Sequence, residues 1–160
     1  MISVFAFRKQ QLSTLLIPTG KTVATRFTTP TGFTRVQSEK NSFGEFLQNT
    51  SLKPNGTLVH LYNGQEKTNK VAAAVLNIDV GAKDLQQCAD AVMRLRAEYL
   101  YQSKQYSALH FNFTNAFKAD YVKWRTGYRI AVKGNNVGWV KSSKESVSYE
   151  SFREYMNMVF

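Results

Sequence analysis

The stretch LNIDVGAKDLQQCADAVMRLRAEYLY, residues 76–101, decides the fold of this chain. It starts with the end of an apolar run, turns at Gly81 and continues in a helical pattern. Asp84 and Gln87 have the spacing of an N-terminal capping box. The apolar residues that follow at three- and four-residue spacing are Leu85, Cys88, Val92, Leu95 and Tyr99. The pattern predicts a strand, a glycine turn and a capped helix over residues 85–103, with these five residues as its buried stripe.

The charged residues of this helix predict its solvent face. Arg94 stands four residues after Asp90 and four residues before Glu98. Pairs at this spacing on an exposed helix contribute about 0.2–0.5 kcal/mol each. We therefore expect Asp90–Arg94 and Arg94–Glu98 to be exposed pairs on the face away from the apolar stripe.

Extended patterns flank the helix on both sides. They occur at Thr22–Thr28, Thr57–Tyr62, Val71–Val80, Leu109–Thr114 and Tyr128–Lys133, with a further short strand at Trp139. Short helices are predicted at Ser42–Asn49, around Asp120–Arg125 and after Ser148. The fold class is therefore α+β: a mixed or antiparallel sheet of about five strands packed against the helix at 85–103 and the shorter helices.

Length and composition indicate one globular domain. The chain has 160 residues, of which 43% are hydrophobic and 20% charged, and this is ordinary for a domain that buries a core. Residues 1–21 are predicted to be a loosely attached arm, and residues 22–160 a single α+β domain. The last helix ends at Phe160 on its apolar stripe. We therefore expect the N-terminal part of a larger domain, which self-associates through an exposed C-terminal apolar surface.

The N-terminus does not have the pattern of an export signal. A secretory signal places basic residues before a longer apolar region, whereas here the apolar residues MISVFAF precede Arg8 and Lys9. No apolar run approaches the roughly 20 residues that span a bilayer. The sequence as written therefore predicts no signal peptide.

The net charge of +10, from 21 basic and 11 acidic residues, favours anionic partners. Residues 117–144 concentrate the cations, which are Lys118, Lys123, Arg125, Arg129, Lys133, Lys141 and Lys144. Aromatic residues interleave with them, and the candidate binding residues are Trp124, Arg125, Arg129 and Trp139. Three interpretations stay open: a solvated basic face, a carbohydrate-binding surface on the two tryptophans, or weak binding of nucleic acid. Nucleic acid ranks last because recognised RNA-binding signatures are absent.

Cys88 is the sharpest catalytic candidate. As the only cysteine, it excludes an internal disulfide and a multi-cysteine zinc site, and we predict no metal and no cofactor. A cysteine in the first turn of a helix feels the positive end of the helix dipole, as nucleophiles of Cys–His hydrolases do. The competing interpretation is a structural cysteine that shares the apolar stripe with Leu85 and Val92.

Three further polar residues accompany Cys88 as candidates. His110 and Asn112 are two apart on a predicted strand and so share one face, and Asp79 could line the same polar surface. On paper, a Cys–His–Asn set has the composition of a papain-like triad. The alternative is a solvent-facing strand edge that carries one satisfied histidine.

Several collinear segments resemble one family. They are Ser42-Phe43, Leu52-Lys53-Pro54, Leu61-Tyr62-Asn63-Gly64, residues 76–101, His110–Thr114 and Trp124–Arg129. On these segments the chain resembles a bacterial cell-envelope family known only as domain of unknown function 4846, over roughly residues 22–160. The resemblance implies an exported protein, often a lipoprotein. It also implies further chain beyond Phe160, with a glycine-rich half and a Pro-Gly-His-Ala segment. Family members have aspartate where this chain has Asn77.

Charge, cysteine and resemblance together give three function hypotheses. The first is an envelope-associated domain that is non-catalytic as it stands and serves a structural or binding role, with a glycan or cell-wall component as partner. The alternative is part of a papain-like or cell-wall-amidase-like hydrolase with Cys88 as nucleophile, whose histidine comes from the half that the resemblance implies. The third is weak polyanion or nucleic-acid binding through residues 117–144.

Overall fold

A computed structural model describes residues 15–69 and 71–160. They fall into two compact units, an N-terminal unit that ends at Asp84 and a C-terminal unit, Leu85–Phe160. Of the arm predicted at residues 1–21, residues 1–14 lie outside the described residues. From residue 15 onward the backbone is attached, since the Ile17 N–H donates to the Arg26 carbonyl at 2.8 Å. The single domain over residues 22–160 stays a prediction.

The part of the N-terminal unit that the structure describes contains two short helices. Helix α1, Val23–Arg26, is capped by Thr22 and stands where a strand was predicted. Helix α2, Phe43–Asn49, is the one the sequence predicts. Its N-cap is confirmed, because the Glu45 N–H donates to Ser42 Oγ at 3.2 Å. In α1, the Thr22 hydroxyl caps the first turn of the helix. The alternation of residues over Thr22–Thr28 could not by itself distinguish this helical turn from a strand.

The rest of the described part of this unit is turns and irregular chain joined by isolated bridges. The pairs are Leu16–Phe27, Thr22–Ser51, Leu52–Leu76 and His60–Glu66. The strands predicted at Thr57–Tyr62 and Val71–Val80 do not form ladders among the described residues, and that prediction is wrong. Val71 is 81% exposed and Val80 42%. An apolar run shows that a segment can be buried, but not that a partner covers it.

The C-terminal unit holds a helix of 15 residues and two hairpins. Its elements are α3 (Cys88–Gln102), a 3₁₀ helix (Tyr106–Ala108), β1 (His110–Asn112), β2 (Lys118–Asp120), α4 (Tyr121–Arg125), β3 (Tyr128–Lys133), β4 (Asn136–Lys141) and α5 (Tyr149–Val159). Strand β1 pairs antiparallel with β2, and β3 with β4. The α+β class is confirmed. The sheet of about five strands is wrong, because each hairpin pairs only with itself among the described residues.

Helix α5 supplies the centre of the core. Its cap is confirmed, since the Ser151 N–H donates to Ser148 Oγ at 3.1 Å. The side chains of Phe152, Tyr155 and Met156 are completely buried. Val159 and Phe160 pack against the same core. The apolar stripe that we expected to be an exposed surface for self-association is therefore covered within this unit.

The face that α3 buries differs from the predicted stripe. The helix begins at Cys88 with Gln87 as its N-cap, and the Asp90 carboxylate accepts from the Gln87 N–H at 3.3 Å. The buried residues of α3 are Arg94, Ala97, Glu98 and Leu100. Val92, predicted inside, is 63% exposed. The helix is rotated about its axis relative to the prediction, because Tyr101, four residues after Ala97, stacks on Phe152 at 4.4 Å between ring centroids.

Candidate functional site

The thiol of Cys88 lies on the surface. The residue is the first of α3 and is exposed, so it does not share a buried stripe with Leu85 and Val92 as the structural interpretation required. The helix begins at Cys88 and not at residue 85, as was predicted, so Cys88 is its first residue and does not lie on its buried face. An exposed thiol at the positive end of a 15-residue helix is open to reagents and substrates.

His110 and Asn112 share the outer face of β1, as their spacing predicted. Both are exposed, while Phe111 between them is half-buried. In the part of the chain that the structure describes, no hydrogen bond joins either residue to Cys88. Helix α3 extends about 21 Å from Cys88 to Gln102 at 1.5 Å per residue, and β1 follows the 3₁₀ helix after its far end. The structure therefore does not assemble a Cys–His–Asn set from these three residues.

Asp79, the fourth catalytic candidate, belongs to the N-terminal unit. It is exposed, and its carboxylate accepts from the Gly81 N–H at 2.9 Å. An aspartate that binds the backbone two residues ahead closes a local turn. This hydrogen bond therefore gives Asp79 a local structural role.

Trp124, a predicted binding residue, is part of the core. Only 5% of its surface is exposed. Its indole N–H donates to the Ser151 carbonyl at 3.0 Å and contacts Ser151 Oγ at 3.1 Å. The ring also contacts Tyr155 edge to face. A tryptophan held in this way cannot offer a face to a base or a sugar.

The two predicted binding arginines are engaged inside the unit. The Arg129 guanidinium lies 4.1 Å from the Trp124 ring centroid and donates to the Trp124 carbonyl at 3.1 Å. Its second terminal nitrogen donates to Ser143 Oγ at 3.1 Å. Arg125 lies 4.0 Å from the centroid of Tyr106. These arginines use aromatic faces and backbone carbonyls as partners, which supports the interpretation of a basic face over half-buried aromatics.

Trp139 is the predicted binding residue that remains accessible. It is half-buried, and with Tyr128 it lies on the face of the β3–β4 hairpin that also carries Lys141. The Lys123 ammonium stands 5.2 Å from the Tyr128 centroid and 5.7 Å from the Trp139 centroid. The Lys141 ammonium stands 5.3 Å from the Tyr128 centroid. We call Lys123, Tyr128, Trp139 and Lys141 the hairpin patch.

A buried polar network lies where exposed ion pairs were predicted. Arg94 and Glu98 are 2% and 6% exposed, and their side chains meet at 2.7 Å. Tyr149 donates its hydroxyl to the same Glu98 oxygen at 2.6 Å. Arg94 also donates to the side-chain oxygen of Gln86 at 3.3 Å. The prediction failed because the i to i+4 spacing is the same for an exposed pair and a buried one.

The aromatic core shifts the acidity of its tyrosines. Burial raises the pKa of Tyr121 and of Tyr155 well above the ordinary value of 10, and the nearby Asp120 raises that of Tyr155 further. Burial also raises the pKa of Tyr101. The Tyr155 hydroxyl donates to the Ala119 carbonyl at 2.7 Å, whereas the buried Tyr121 hydroxyl has no partner among the described residues. These phenols stay protonated at neutral pH and are core residues.

Metal ligands and membrane spans are not evident in the described residues. No group of three His, Cys, Asp or Glu side chains there is placed to hold a metal ion. No helix within the described ranges is long and apolar enough to cross a membrane.

Comparison with known proteins gives one match. The family model described as a domain of unknown function (4846) matches residues 23–160. No curated protein matches the chain, and no solved structure matches it. The match covers both compact units, including the hairpin patch and Cys88. The chain therefore belongs to the domain of unknown function 4846 family.

Proposed function

We propose that this chain is an envelope-associated binding domain that holds an acidic glycan on the hairpin patch and is non-catalytic as it stands. One observation carries the proposal: the Lys123 ammonium stands over both the Tyr128 and Trp139 rings. Aromatic faces beside an ammonium suit a sugar ring that bears a carboxylate or a phosphate. The aromatic rings provide apolar contact, and the cations supply charge.

Lys123 of the hairpin patch differs from the arginines beside it in how firmly it is held. Lys123 is exposed, and a cation–π contact at an exposed site contributes about 0.5–1 kcal/mol. An anionic group could therefore draw this ammonium off the rings at little cost. Arg129 is fixed by hydrogen bonds as well as by stacking, so it serves as scaffold for the rings.

The proposal is tested by titrating the full chain with hexagalacturonate, using the uncharged chitohexaose as a comparison. We expect the chain to bind hexagalacturonate and not chitohexaose. Trp139→Leu, which keeps an apolar side chain at the core margin, should lower the affinity for hexagalacturonate at least ten-fold. Lys123→Gln should weaken binding several-fold. Tryptophan fluorescence follows the titration, because Trp124 and Trp139 are the only tryptophans.

Lys133→Gln is the matched control. It removes the same charge from the same hairpin, but Lys133 alternates onto the face opposite Tyr128, so affinity should not change. If Lys123→Gln and Lys133→Gln lowered the affinity equally, net charge alone would attract the hexagalacturonate. A single-stranded DNA of matched charge that binds more tightly, with the same loss in Trp139→Leu, would instead favour nucleic acid.

A second candidate function, cysteine hydrolase, is favoured by the exposure of Cys88 at the start of α3. Because no histidine of this chain is hydrogen-bonded to that thiol in the described residues, the base would come from the longer chain that the family resemblance implies. Cleavage of cell-wall muropeptides by such a longer chain, abolished in Cys88→Ala and retained in Trp139→Leu, would support this function over glycan binding.

A further inference from the structure

Two segments of the N-terminal unit line one cleft of about 260 Å³. The first segment is Pro54–Val59 and the second is Ala72–Ala74, and Lys67 and Asn69 complete the lining. Lys67 is the one charged residue among the described residues that line it. Most of the wall is therefore backbone and small or apolar side chains.

Hydrogen bonds at Lys53 and Val59 fix the two ends of the first segment. The Lys53 N–H donates to the Val75 carbonyl at 2.8 Å, next to the Leu52–Leu76 bridge. The Lys67 N–H donates to the Val59 carbonyl, also at 2.8 Å. The Thr57 N–H turns back to the Pro54 carbonyl at 3.2 Å. The chain leaves the Leu52–Leu76 bridge through this turn, and the two segments do not continue as a ladder.

Five backbone N–H groups that line the cleft have no partner in the part of the chain that the structure describes. The N–H groups of Leu58, Val59 and Ala72–Ala74 donate no hydrogen bond to another described residue. Backbone donors and acceptors are obligatory hydrogen-bonding groups, which water serves only while they stay exposed. Thr57–Val59 and Ala72–Ala74 also fall within stretches that the sequence predicted as strands. These residues therefore have strand sequences, and most of their N–H groups can still pair with another strand.

We propose that this cleft accepts an extended peptide of a partner protein, which adds a strand beside these two segments. Because successive residues of extended chain direct their N–H groups to opposite sides, main-chain groups of the peptide would pair with alternate residues within Leu58–Val59 and Ala72–Ala74. Small or β-branched side chains suit the alanines, and an acidic residue suits Lys67. The site lies in the N-terminal unit and is independent of the glycan proposed for the hairpin patch.

The test uses a capped peptide, acetyl-Val-Thr-Val-Glu-Val-Thr-amide, and the amide NMR spectrum of the full chain. Amide signals of Leu58, Val59 and Ala72–Ala74 should shift. Those amides that pair with the peptide should exchange their hydrogens at least ten-fold more slowly. Ala72→Pro, which removes one N–H from the cleft, should weaken binding at least ten-fold. Thr34→Pro is the matched control, since Thr34 is exposed, lies outside the lining and donates no hydrogen bond among the described residues.

Charge reversal keeps the test independent of proline effects on the fold. Lys67→Glu should prefer a peptide with lysine in place of glutamate, reversing the preference of the natural chain. The same peptide with alternate N-methyl groups, which cannot pair as a strand, should not bind. Shifts elsewhere in the spectrum, equal binding of the N-methylated peptide, or self-association through these same amides would each overturn the proposal.

Discussion

The two units of this chain are held together by different interactions. All ten buried hydrophobic residues of the described chain belong to the C-terminal unit, and the largest fully buried side chains among them are Tyr121, Tyr155, Phe152, Leu109 and Met156. Among the described residues of the N-terminal unit, the buried ones are Gly20 and Arg26. Phe33, at 70% exposure, and Val36, at 83%, stay at its surface. One unit has an apolar core, and the other is organised around backbone bridges and one arginine.

This difference has a functional meaning. A unit with a packed core can present a rigid surface, as the hairpin patch does. A unit whose apolar side chains and strand edges are uncovered has more to gain from a partner. Our two proposals follow this difference, since the proposed glycan surface lies on the C-terminal unit and the proposed peptide cleft lies in the N-terminal unit.

The largest expected effect is the loss of a core aromatic. Tyr155→Ala should destabilise the C-terminal unit by about 3–5 kcal/mol, as large-to-small changes of buried aromatics do. In the N-terminal unit, Phe46→Ala should cost only about 1 kcal/mol, since Phe46 is half-buried. Urea unfolding followed by tryptophan fluorescence reports the first change and amide exchange the second. Similar costs in both units would contradict the comparison.

Breaking the Arg94–Glu98 pair comes next. Glu98→Ala leaves a buried guanidinium without its carboxylate, and it should cost about 3 kcal/mol, the lower end for buried pairs, because the adjoining Tyr149 is 46% exposed and admits water. Replacing both partners, Arg94→Met with Glu98→Leu, should restore most of that loss. Urea midpoints measure both. If the double variant were as unstable as Glu98→Ala, the Arg94–Glu98 pair would contribute to stability beyond the pairing of its two charges.

Arg26 is the corresponding polar centre of the N-terminal unit. Its Nε donates to the Gly20 carbonyl at 2.7 Å and its Nη2 to the Lys53 carbonyl at 3.2 Å. Arg26→Met keeps the aliphatic stem and should cost about 1–3 kcal/mol, since two buried carbonyls lose charged donors. Faster amide exchange confined to residues 15–84 is the expected result. Arg96→Met, the same change at an exposed position, is the control and should have no effect on exchange.

The sequence predicted local structure best where one side chain closes a helix. Ser42 and Ser148 cap α2 and α5 as predicted, because a cap depends on residues at most three positions away. The cap predicted at Asp84 is wrong, since α3 begins at Cys88 with Gln87 as its N-cap. The β3–β4 hairpin was also predicted, since turn residues separate two strand patterns. Pairing over longer distances was not predictable, and the strands expected at Thr57–Tyr62 and Val71–Val80 found no ladder.

The candidate site was predictable only in part, for a similar reason. Composition identified the basic aromatic segment, but Trp124 and Trp139 have the same residue type and opposite environments. Only the contact of Trp124 with Ser151, 27 positions away, decides which is buried. For α3, the predicted stripe containing Cys88 and the buried face containing Ala97 lie on nearly opposite sides of the helix, because nine residues at 3.6 per turn make two and a half turns. Packing against α5, and not hydrophobic periodicity, selects between them.

The smallest expected effect concerns two neighbouring tyrosines that differ in hydrogen bonding. The Tyr155 hydroxyl donates to the Ala119 carbonyl, while the Tyr121 hydroxyl is buried without a partner among the described residues. Tyr155→Phe should therefore cost about 1 kcal/mol at pH 8, and Tyr121→Phe should be neutral or stabilising by less than about 1 kcal/mol.

The same pair of variants tests the pH dependence of the C-terminal unit. Because burial raises the pKa of both phenols in the folded chain above the unfolded value of about 10, their contribution to stability is complete below pH 10. It is lost as the pH rises above that value, since the unfolded chain then releases protons that the folded chain retains. Urea midpoints between pH 8 and 11 should fall steeply for the natural chain and less steeply for each phenylalanine variant. An unchanged slope in Tyr121→Phe would mean that its hydroxyl reaches water, and that the aromatic core is more open than its buried surface indicates.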